Sequence, residues 1–165
     1  MSEGMVSGIA IDLEKEEILL VPNLVPTKPQ GFWGLPGGRI EDGESPLQAV
    51  KREAAEETLK ERKNGEKKIK TAGKRTEIPR TGTYGNYTHY FYCIRISGTE
   101  NLKTCETPGE VGPPQWVPLS KITSGEVKVF PSHLQGVIKI LEKMAIKSGK
   151  IAFIARELAR CLKQN

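Results

Sequence analysis

The sequence predicts an α/β fold, because strand and helix signals alternate along the chain without internal repeats. Its 165 residues suit one domain, with or without an appendage, and are enough to bury a real core. Charged residues make up 27% of the chain and hydrophobic residues 37%, so we expect a globular protein.

The first predicted strands lead into a glycine-rich segment. Residues 5–12 and 18–21 are predicted to form a hairpin that is joined by a charged turn. Residues 23–33 form a loop that contains proline and glycine. At residues 36–38, Pro-Gly-Gly, we expect a tight loop in which the backbone can approach an ion or a phosphate closely.

Helices and further strands follow in alternation. The first helix begins after Ser45, which can cap it, and Pro46 is tolerated at the first helical position. The clearest strand covers residues 88–97, which are rich in aromatic and β-branched side chains. The apolar stripe of the first helix is Leu47, Val50 and Ala54. The later elements are a short strand at 115–118, an amphipathic helix at 132–148 and, after Gly149, a second helical pattern at 151–162.

A basic stretch lies between residues 60 and 75, which contain eight lysines or arginines. A nucleic-acid patch would explain them, but the stretch has no aromatic residue and glutamates interrupt it. A solvated loop is therefore favoured, and nucleic-acid binding is not expected. Such binding would show a steep dependence on salt.

Three glutamates of the first helix form an acidic cluster. Glu53, Glu56 and Glu57 stand at i, i+3 and i+4, so they share one helix face. Their mutual repulsion costs stability, and a divalent cation would remove it, because Mg²⁺ and Mn²⁺ prefer hard oxygen ligands. Without the glycines upstream, a solvated acidic face would be the better interpretation.

The acidic cluster belongs to a longer pattern: Gly, five residues, Glu, seven residues, Arg-Glu, two residues, Glu-Glu. This pattern resembles the Nudix box, the signature of hydrolases that act on a nucleoside diphosphate linked to another group. The resemblance implies an α/β/α sandwich around a mixed sheet, with the box at its edge. The matching residues are Gly38, Glu44, Arg52, Glu53, Glu56 and Glu57.

The resemblance also implies a metal site. Mg²⁺, with Mn²⁺ as an alternative, would be held by Glu53, Glu56, Glu57 and the carbonyl group of Gly38. The metal would neutralise the phosphate charge, activate water and align the displacement. Relatives differ in which glutamate deprotonates water, so Glu53 or Glu56 could serve as ligand, base or both.

Residues on either side of the cluster complete the implied site. Glu44 and Arg52 would form a supporting ion pair that orients the loop against the helix. Relatives often add a glutamate from a later loop, and Glu110, just before the strand at 115–118, occupies such a position. Glu106 is its competitor, and both could equally be plain surface carboxylates.

The sequence departs from the family at the end of the box, where Leu59 and Lys60 replace a glycine and an aliphatic residue. A glycine there normally stops the helix in a left-handed cap. Leucine favours continuation, so we expect the helix to extend by more than one turn towards Gly65.

Aromatic residues and histidines give weaker indications. Trp33 could stack on a base, although packing of its loop onto the core is favoured. Tyr84 and Tyr87 flank an apparent turn and are better stacking candidates. His89 and His133 are isolated in sequence and suggest neither a metal pair nor a catalytic dyad.

We expect a Nudix hydrolase domain at residues 1–148 and a helical extension at 149–165 that packs on the same domain or serves a homodimer interface. No apolar run approaches a membrane span. The three cysteines are odd in number and form no C-x-x-C pair, so a reduced, cytoplasmic protein is expected.

Substrate identity rests on the resemblance alone. Residues 33–44 look most like the MutT-type branch, which implies a nucleoside triphosphate pyrophosphohydrolase with a small-molecule nucleotide as its partner. The alternatives are an ADP-ribose or nucleotide-sugar hydrolase and a dinucleoside polyphosphate hydrolase. A hypothesis of another class is a Nudix module that binds a nucleotide without cleaving it, although no box glutamate is lost here.

Overall fold

The computed structural model describes residues 4–60, 69–83, 85–96, 98–145 and 148–164. Helices and strands alternate within them, as predicted. The strands are β1 (Gly4–Ile9), β2 (Ile11–Asp12), β3 (Glu17–Pro22), β4 (Phe32–Gly34), β5 (Gly37–Arg39), β6 (Lys70–Gly82), β7 (Gly85–Arg95), β8 (Gln115–Pro118) and β9 (Lys128–Val129). The helices are α1 (Pro46–Thr58), α2 (Leu119–Thr123), α3 (Pro131–Met144) and α4 (Gly149–Lys163).

The strands form two mixed sheets. The first has the order β5-β1-β7-β6, and only its central pair, β1 and β7, is parallel. The second has the order β2-β3-β4-β9, with β8 also paired to β3 and with β4 parallel to β9. The chain passes from the first sheet to the second at Ala10, between β1 and β2.

Helices cover both faces of the first sheet. Helix α1 packs on β1 and β5, whereas α3 packs on β6 and β7. Successive side chains of a strand point to opposite faces, and Phe91 accordingly lies in the core with α3 while Tyr92 lies in the core with α1. The predicted α/β fold with helices around a mixed sheet is therefore confirmed.

The predicted extension of the first helix is wrong. Helix α1 ends at Thr58, and Leu59 is extended, with φ −101° and ψ 141°. Leu59 instead forms an isolated β-bridge with Leu102, and the amide of Lys60 donates to the carbonyl of Asn101 (2.9 Å). Pairing with a later loop therefore outweighs the helix propensity of leucine.

Four local expectations also need correction. The predicted first hairpin is reduced to β2 and β3, because β1 joins the other sheet. The expected loop at 36–38 becomes strand at Gly37, where β5 pairs with β1. Residues 70–75 of the basic stretch are strand, and residues 61–68 lie outside the described part of the chain. Leu47, expected in the apolar stripe, is 40% exposed, whereas Val50 and Ala54 are buried.

The last helix packs on the rest of the chain. Its N-cap is Ser148, whose hydroxyl accepts from the amide of Ile151 (3.4 Å), so Gly149 begins the helix. Buried side chains such as Ile154 and Leu158 belong to the same core as α3. Among the described residues, no helix combines the length and the apolar character needed to cross a membrane.

Replacing Leu158 by alanine should lower the free energy of unfolding by about 2–5 kcal/mol, because it leaves a cavity in the core under α4. Phe153→Ala on the same helix is the control, with a change within about 0.5 kcal/mol, because Phe153 is 57% exposed. Urea unfolding measures both variants. Equal effects would contradict the assignment of α4 to the core.

Candidate active site

The loop before α1 and its first turn are fixed by a capping box. The hydroxyl of Ser45 accepts from the amide of Gln48 (3.2 Å), and the Gln48 side chain accepts from the amide of Ser45 (2.9 Å). Both bonds satisfy donors that a helix start leaves unpaired. Helix α1 therefore begins at a defined residue, which sets the direction of its glutamates.

Arg52 lies at the centre of an ion-pair network. Its guanidinium donates twice to the carboxylate of Glu44, with both distances 2.9 Å, and once to Glu53 (2.8 Å). It also donates to the carbonyl of Arg39 (3.1 Å) in β5. Arg52 lowers the pKa of the Glu44 carboxyl, and these carboxylates raise the pKa of Arg52 itself. The geometry thus ties the loop before α1 to β5 and to Glu53.

Glu57 is the most buried of the three glutamates in the acidic cluster, with 6% of its surface exposed. Its Oε2 accepts from the amide of Gly37 (2.9 Å). Burial raises its pKa to about 8, and the nearby carboxylates of Glu53, Glu110 and Glu56 contribute to the rise. Burial likewise raises the pKa of Glu53, against the opposing effect of Arg52. A cation among these carboxylates would lower both pKa values.

An open cleft of about 390 Å³ brings the candidate residues together. Glu53 and Glu57 line it from α1, Gly38 from β5, and Glu110 from the loop before β8. Glu106 does not line the cleft. Glu110 is held in place through its backbone, because its carbonyl accepts from the amide of Leu24 (3.0 Å).

Glu56 stands apart from the cleft. Its side chain is 56% exposed and does not line the cleft, although one oxygen lies 3.7 Å from Arg52. Of the three glutamates predicted to share one helix face, Glu53 and Glu57 therefore line the cleft and Glu56 does not. Glu56 acts on Glu53 and Glu57 through its charge rather than through contact.

Two of the three predicted stacking residues, Trp33 and Tyr87, do not line the cleft. Trp33, in β4, packs against the core and does not line the cleft. Tyr87, in β7, pairs with Arg80 of β6 and is also absent from the cleft wall. Tyr84 lies outside the described residues.

Sequence reasoning missed several other side chains that line the cleft. Lys28 lies over the ring of Phe130 (5.9 Å to the centroid), and His133 is 5.6 Å from that ring. The Nδ1 atom of His133 accepts from the amide of Leu35 (2.9 Å), so the ring proton lies on Nε2. Only the fold brings these residues together, and no spacing in the sequence indicates it. Cleft residues outside the predicted set include Ser7, Asn23, Lys28, Arg39, Phe130 and His133.

Comparison with known protein families identifies the family to which this chain belongs. The model of the NUDIX domain matches residues 4–135, which is most of the chain. The chain belongs to the NUDIX domain family. It is accordingly a hydrolase that acts on pyrophosphate bonds, and family members generally use divalent metals.

Solved structures of NUDIX proteins share the fold at low identity. The NUDIX domain of Shewanella oneidensis NrtR in complex with ADP ribose is 21% identical, with a TM-score of 0.62 over 87% of this chain and 89% of that one. A NUDIX hydrolase from Nitrosomonas europaea is 17% identical, with a TM-score of 0.61 over 83% and 86%. A bifunctional NMN adenylyltransferase/ADP ribose pyrophosphatase from Francisella tularensis, complexed with AMP and a Mn ion, is 20% identical, with a TM-score of 0.63 over 87% and 42%.

The residues at the acidic end of the cleft fit a hard divalent cation. A side chain at Gly38 would overlap the carboxylate of Glu53 and displace it, so glycine leaves room for this carboxylate where it lies. Within the described ranges, no three His, Cys, Asp or Glu side chains already converge as a ligand set. The glutamates would therefore reorient around the ion. Burial, with a contribution from the neighbouring carboxylates, raises the pKa of both Glu53 and Glu57, and a cation would oppose that rise.

The raised pKa of Glu57 predicts how the stability of the metal-free NUDIX protein changes with pH. The folded protein keeps a proton on Glu57 up to pH about 8, whereas the unfolded chain loses it near 4.5. The unfolding free energy should therefore fall as pH rises between these values. Glu57→Gln should make the unfolding free energy less dependent on pH in this range, which urea unfolding in EDTA can measure. Glu106→Gln, outside the cleft, should keep this dependence, and an unchanged slope in Glu57→Gln would contradict the assignment.

Proposed function

We propose that this protein is a metal-dependent, MutT-like nucleoside triphosphate pyrophosphohydrolase. The observation that carries the proposal is that Glu53 and Glu57 of α1 and Glu110 of a distant loop line the same open cleft. Oxygen ligands on two elements suit a cation that also contacts phosphate oxygens. The rest of the cleft is free for the nucleotide.

The protein would hold Mg²⁺, or Mn²⁺, through Glu53, Glu57 and the carbonyl group of Gly38. The bound ion would neutralise phosphate charge, activate water and align the in-line displacement. Arg52 keeps the Glu53 carboxylate oriented through its 2.8 Å hydrogen bond. The amide of Gly37 does the same for Glu57. Glu44 supports Glu53 indirectly, because it fixes Arg52.

The general base is a narrower choice. A base must reach the attacking water beside the substrate. Glu56 does not line the cleft, so it is the weaker candidate for the base and the weaker metal ligand. Glu53 and Glu110 line the cleft, and we propose one of them as the base.

The substrate class is supported by residues 33–44, which are most similar to the MutT-type branch. An ADP-ribose or nucleotide-sugar hydrolase is the first alternative, and a dinucleoside polyphosphate hydrolase the second. Similar structures include a C. elegans Ap4A hydrolase, 15% identical with a TM-score of 0.53 over 99% of this chain and 98% of that one. At such identities the likeness concerns the fold, so the substrate must be measured.

Three further proposals concern the whole protein. Residues 1–148 form the NUDIX hydrolase domain, and residues 149–165 form an extension packed on it. The protein works in the cytoplasm, which the free thiols of Cys93, Cys105 and Cys161 favour. A homodimer through the last helix stays a prediction, which the molar mass in solution would test.

Hydrolysis across a panel of nucleotides tests the function. The panel contains nucleoside triphosphates, ADP-ribose, nucleotide sugars and dinucleoside polyphosphates, each with Mg²⁺, with Mn²⁺ and with EDTA. We expect metal-dependent release of pyrophosphate and a nucleoside monophosphate from a triphosphate, identified by chromatography. Turnover of another substrate class would select an alternative. Saturable nucleotide binding without turnover would favour a non-catalytic module.

Glu57→Gln should reduce metal-dependent turnover by at least about 100-fold, because it removes a carboxylate charge from the proposed metal site. The fold should persist, since an amide has nearly the same shape. Far-UV circular dichroism and steady-state kinetics provide the two measurements. Glu106→Gln serves as the matched control, because Glu106 is an exposed carboxylate outside the cleft. Wild-type turnover in Glu57→Gln would refute the assignment.

A further inference from the structure

One lysine connects the end of α1 to the loop that carries Glu110. The ammonium group of Lys103 donates to the carbonyl of Glu56 (2.8 Å) and to the hydroxyl of Thr107 (3.2 Å). The amide of Lys103 donates to the carbonyl of Thr58 (2.8 Å). Lys103 thereby satisfies two carbonyls that the end of a helix leaves unpaired, and its positive charge suits that end.

Thr107 is the residue that closes the turn carrying Glu110. Its carbonyl accepts from the amides of Glu110 and Val111, both at 3.1 Å, and its amide donates to the carbonyl of Val111 (2.8 Å). Glu110 lies on this turn and lines the cleft with Glu53 and Glu57. A single side chain therefore joins the two elements that supply the carboxylates of the cleft.

The exit of the chain from α1 explains why Lys103 is in place. Leu59 leaves the helix in an extended conformation and bridges Leu102, the neighbour of Lys103. A glycine cap would instead let the helix carbonyls be satisfied by the next turn of the same chain. The departure at Leu59 thus brings the loop at 99–107 against the helix end.

We propose that Lys103 is a positioning residue, which sets the place of Glu110 relative to Glu57 and through it the rate of hydrolysis. This proposal rests on the proposed function of the cleft. The simpler view is that Lys103 only caps α1, which would affect stability and not the chemistry at Glu110. The experiment must therefore separate capping from positioning.

Two substitutions and a matched control make this separation. Lys103→Met removes the ammonium group and keeps the aliphatic chain. Thr107→Val removes only the hydroxyl that accepts from Lys103 and leaves the hydrogen bond of Lys103 to α1 intact. This variant therefore still tests the proposal if Lys103→Met does not fold. The control is Lys60→Met, because Lys60 lies at the same helix end, but its ammonium group donates to the carbonyl of Glu100 (3.1 Å) rather than to the turn of Glu110.

We expect kcat to fall about 10-fold in Lys103→Met and by a smaller factor in Thr107→Val, with KM for the nucleotide within about 2-fold. Lys103→Arg should recover part of kcat, since a guanidinium can still donate to both acceptors. Lys60→Met should keep the wild-type kcat. A loss confined to stability or to KM, or an equal loss in Lys60→Met, would overturn the proposal.

A double-mutant cycle tests whether Lys103 acts through Glu110. If it does, Lys103→Met should lower kcat by less than about 2-fold once Glu110→Gln is present, because the group it positions is gone. If the losses of kcat in the two single variants multiply in the double variant, Lys103 acts by another route, and the proposal is overturned. Wild-type kcat in Glu110→Gln alone would overturn it as well.

Binding of Mn²⁺ without substrate separates this proposal from the proposed function. Absence of turnover by the wild type over the whole nucleotide panel would refute the function but leave Mn²⁺ affinity measurable by electron paramagnetic resonance. Because Glu110 lines the same cleft as Glu53 and Glu57, displacement of its carboxylate should weaken Mn²⁺ binding roughly 3-fold in both Lys103→Met and Glu110→Gln. Unchanged affinity in that case would overturn the role of Lys103.

Discussion

The cleft depends on the close approach of β5 to its neighbours, which Gly37 and Gly38 allow. A side chain at Gly37 would overlap the backbone oxygen of Val6, and one at Gly38 would overlap the carboxylate of Glu53. With neither present, β5 pairs with β1 and lies against α1. The amide of Gly37 can then donate to Glu57. Because Gly37 and Gly38 carry no side chain, β5 can lie close to the glutamates of α1.

Charge is distributed unequally around these glutamates. Arg52 neutralises the outer side of the group through Glu44 and Glu53. Glu57, which is more deeply buried, accepts a hydrogen bond from the amide of Gly37, and burial raises the pKa of its carboxyl. Burying a carboxylate without a cation is costly, and proton uptake relieves that cost when no metal is present. The arrangement therefore favours a divalent cation on the inner side, where Arg52 does not reach.

The sequence predicted the parts of the fold and site that depend on local spacing. Fixed intervals in the box indicated the helix, and turn residues such as Ser45 indicated where it begins. The end of α1 could not be predicted, because it depends on a bridge between Leu59 and Leu102, 43 residues apart. The exposure of Glu56 was also beyond prediction, since helical spacing places side chains on a face but not inside a cleft.

Residues from distant parts of the chain determine the other half of the site. The fold places His133 of α3 beside Leu35, whose amide donates a hydrogen bond to Nδ1 of the imidazole. The proton of the neutral ring therefore lies on Nε2, which can act as a donor. Burial lowers the pKa of His133 to about 4, so the imidazole remains neutral near pH 7. Lys28, which lies over the ring of Phe130, also lines the cleft and adds a positive charge. The cleft thus combines the carboxylates of Glu53, Glu57 and Glu110, which suit a metal, with a neutral donor and two cations, Lys28 and Arg39. Charges of both signs in one cleft favour a defined orientation of a pyrophosphate group.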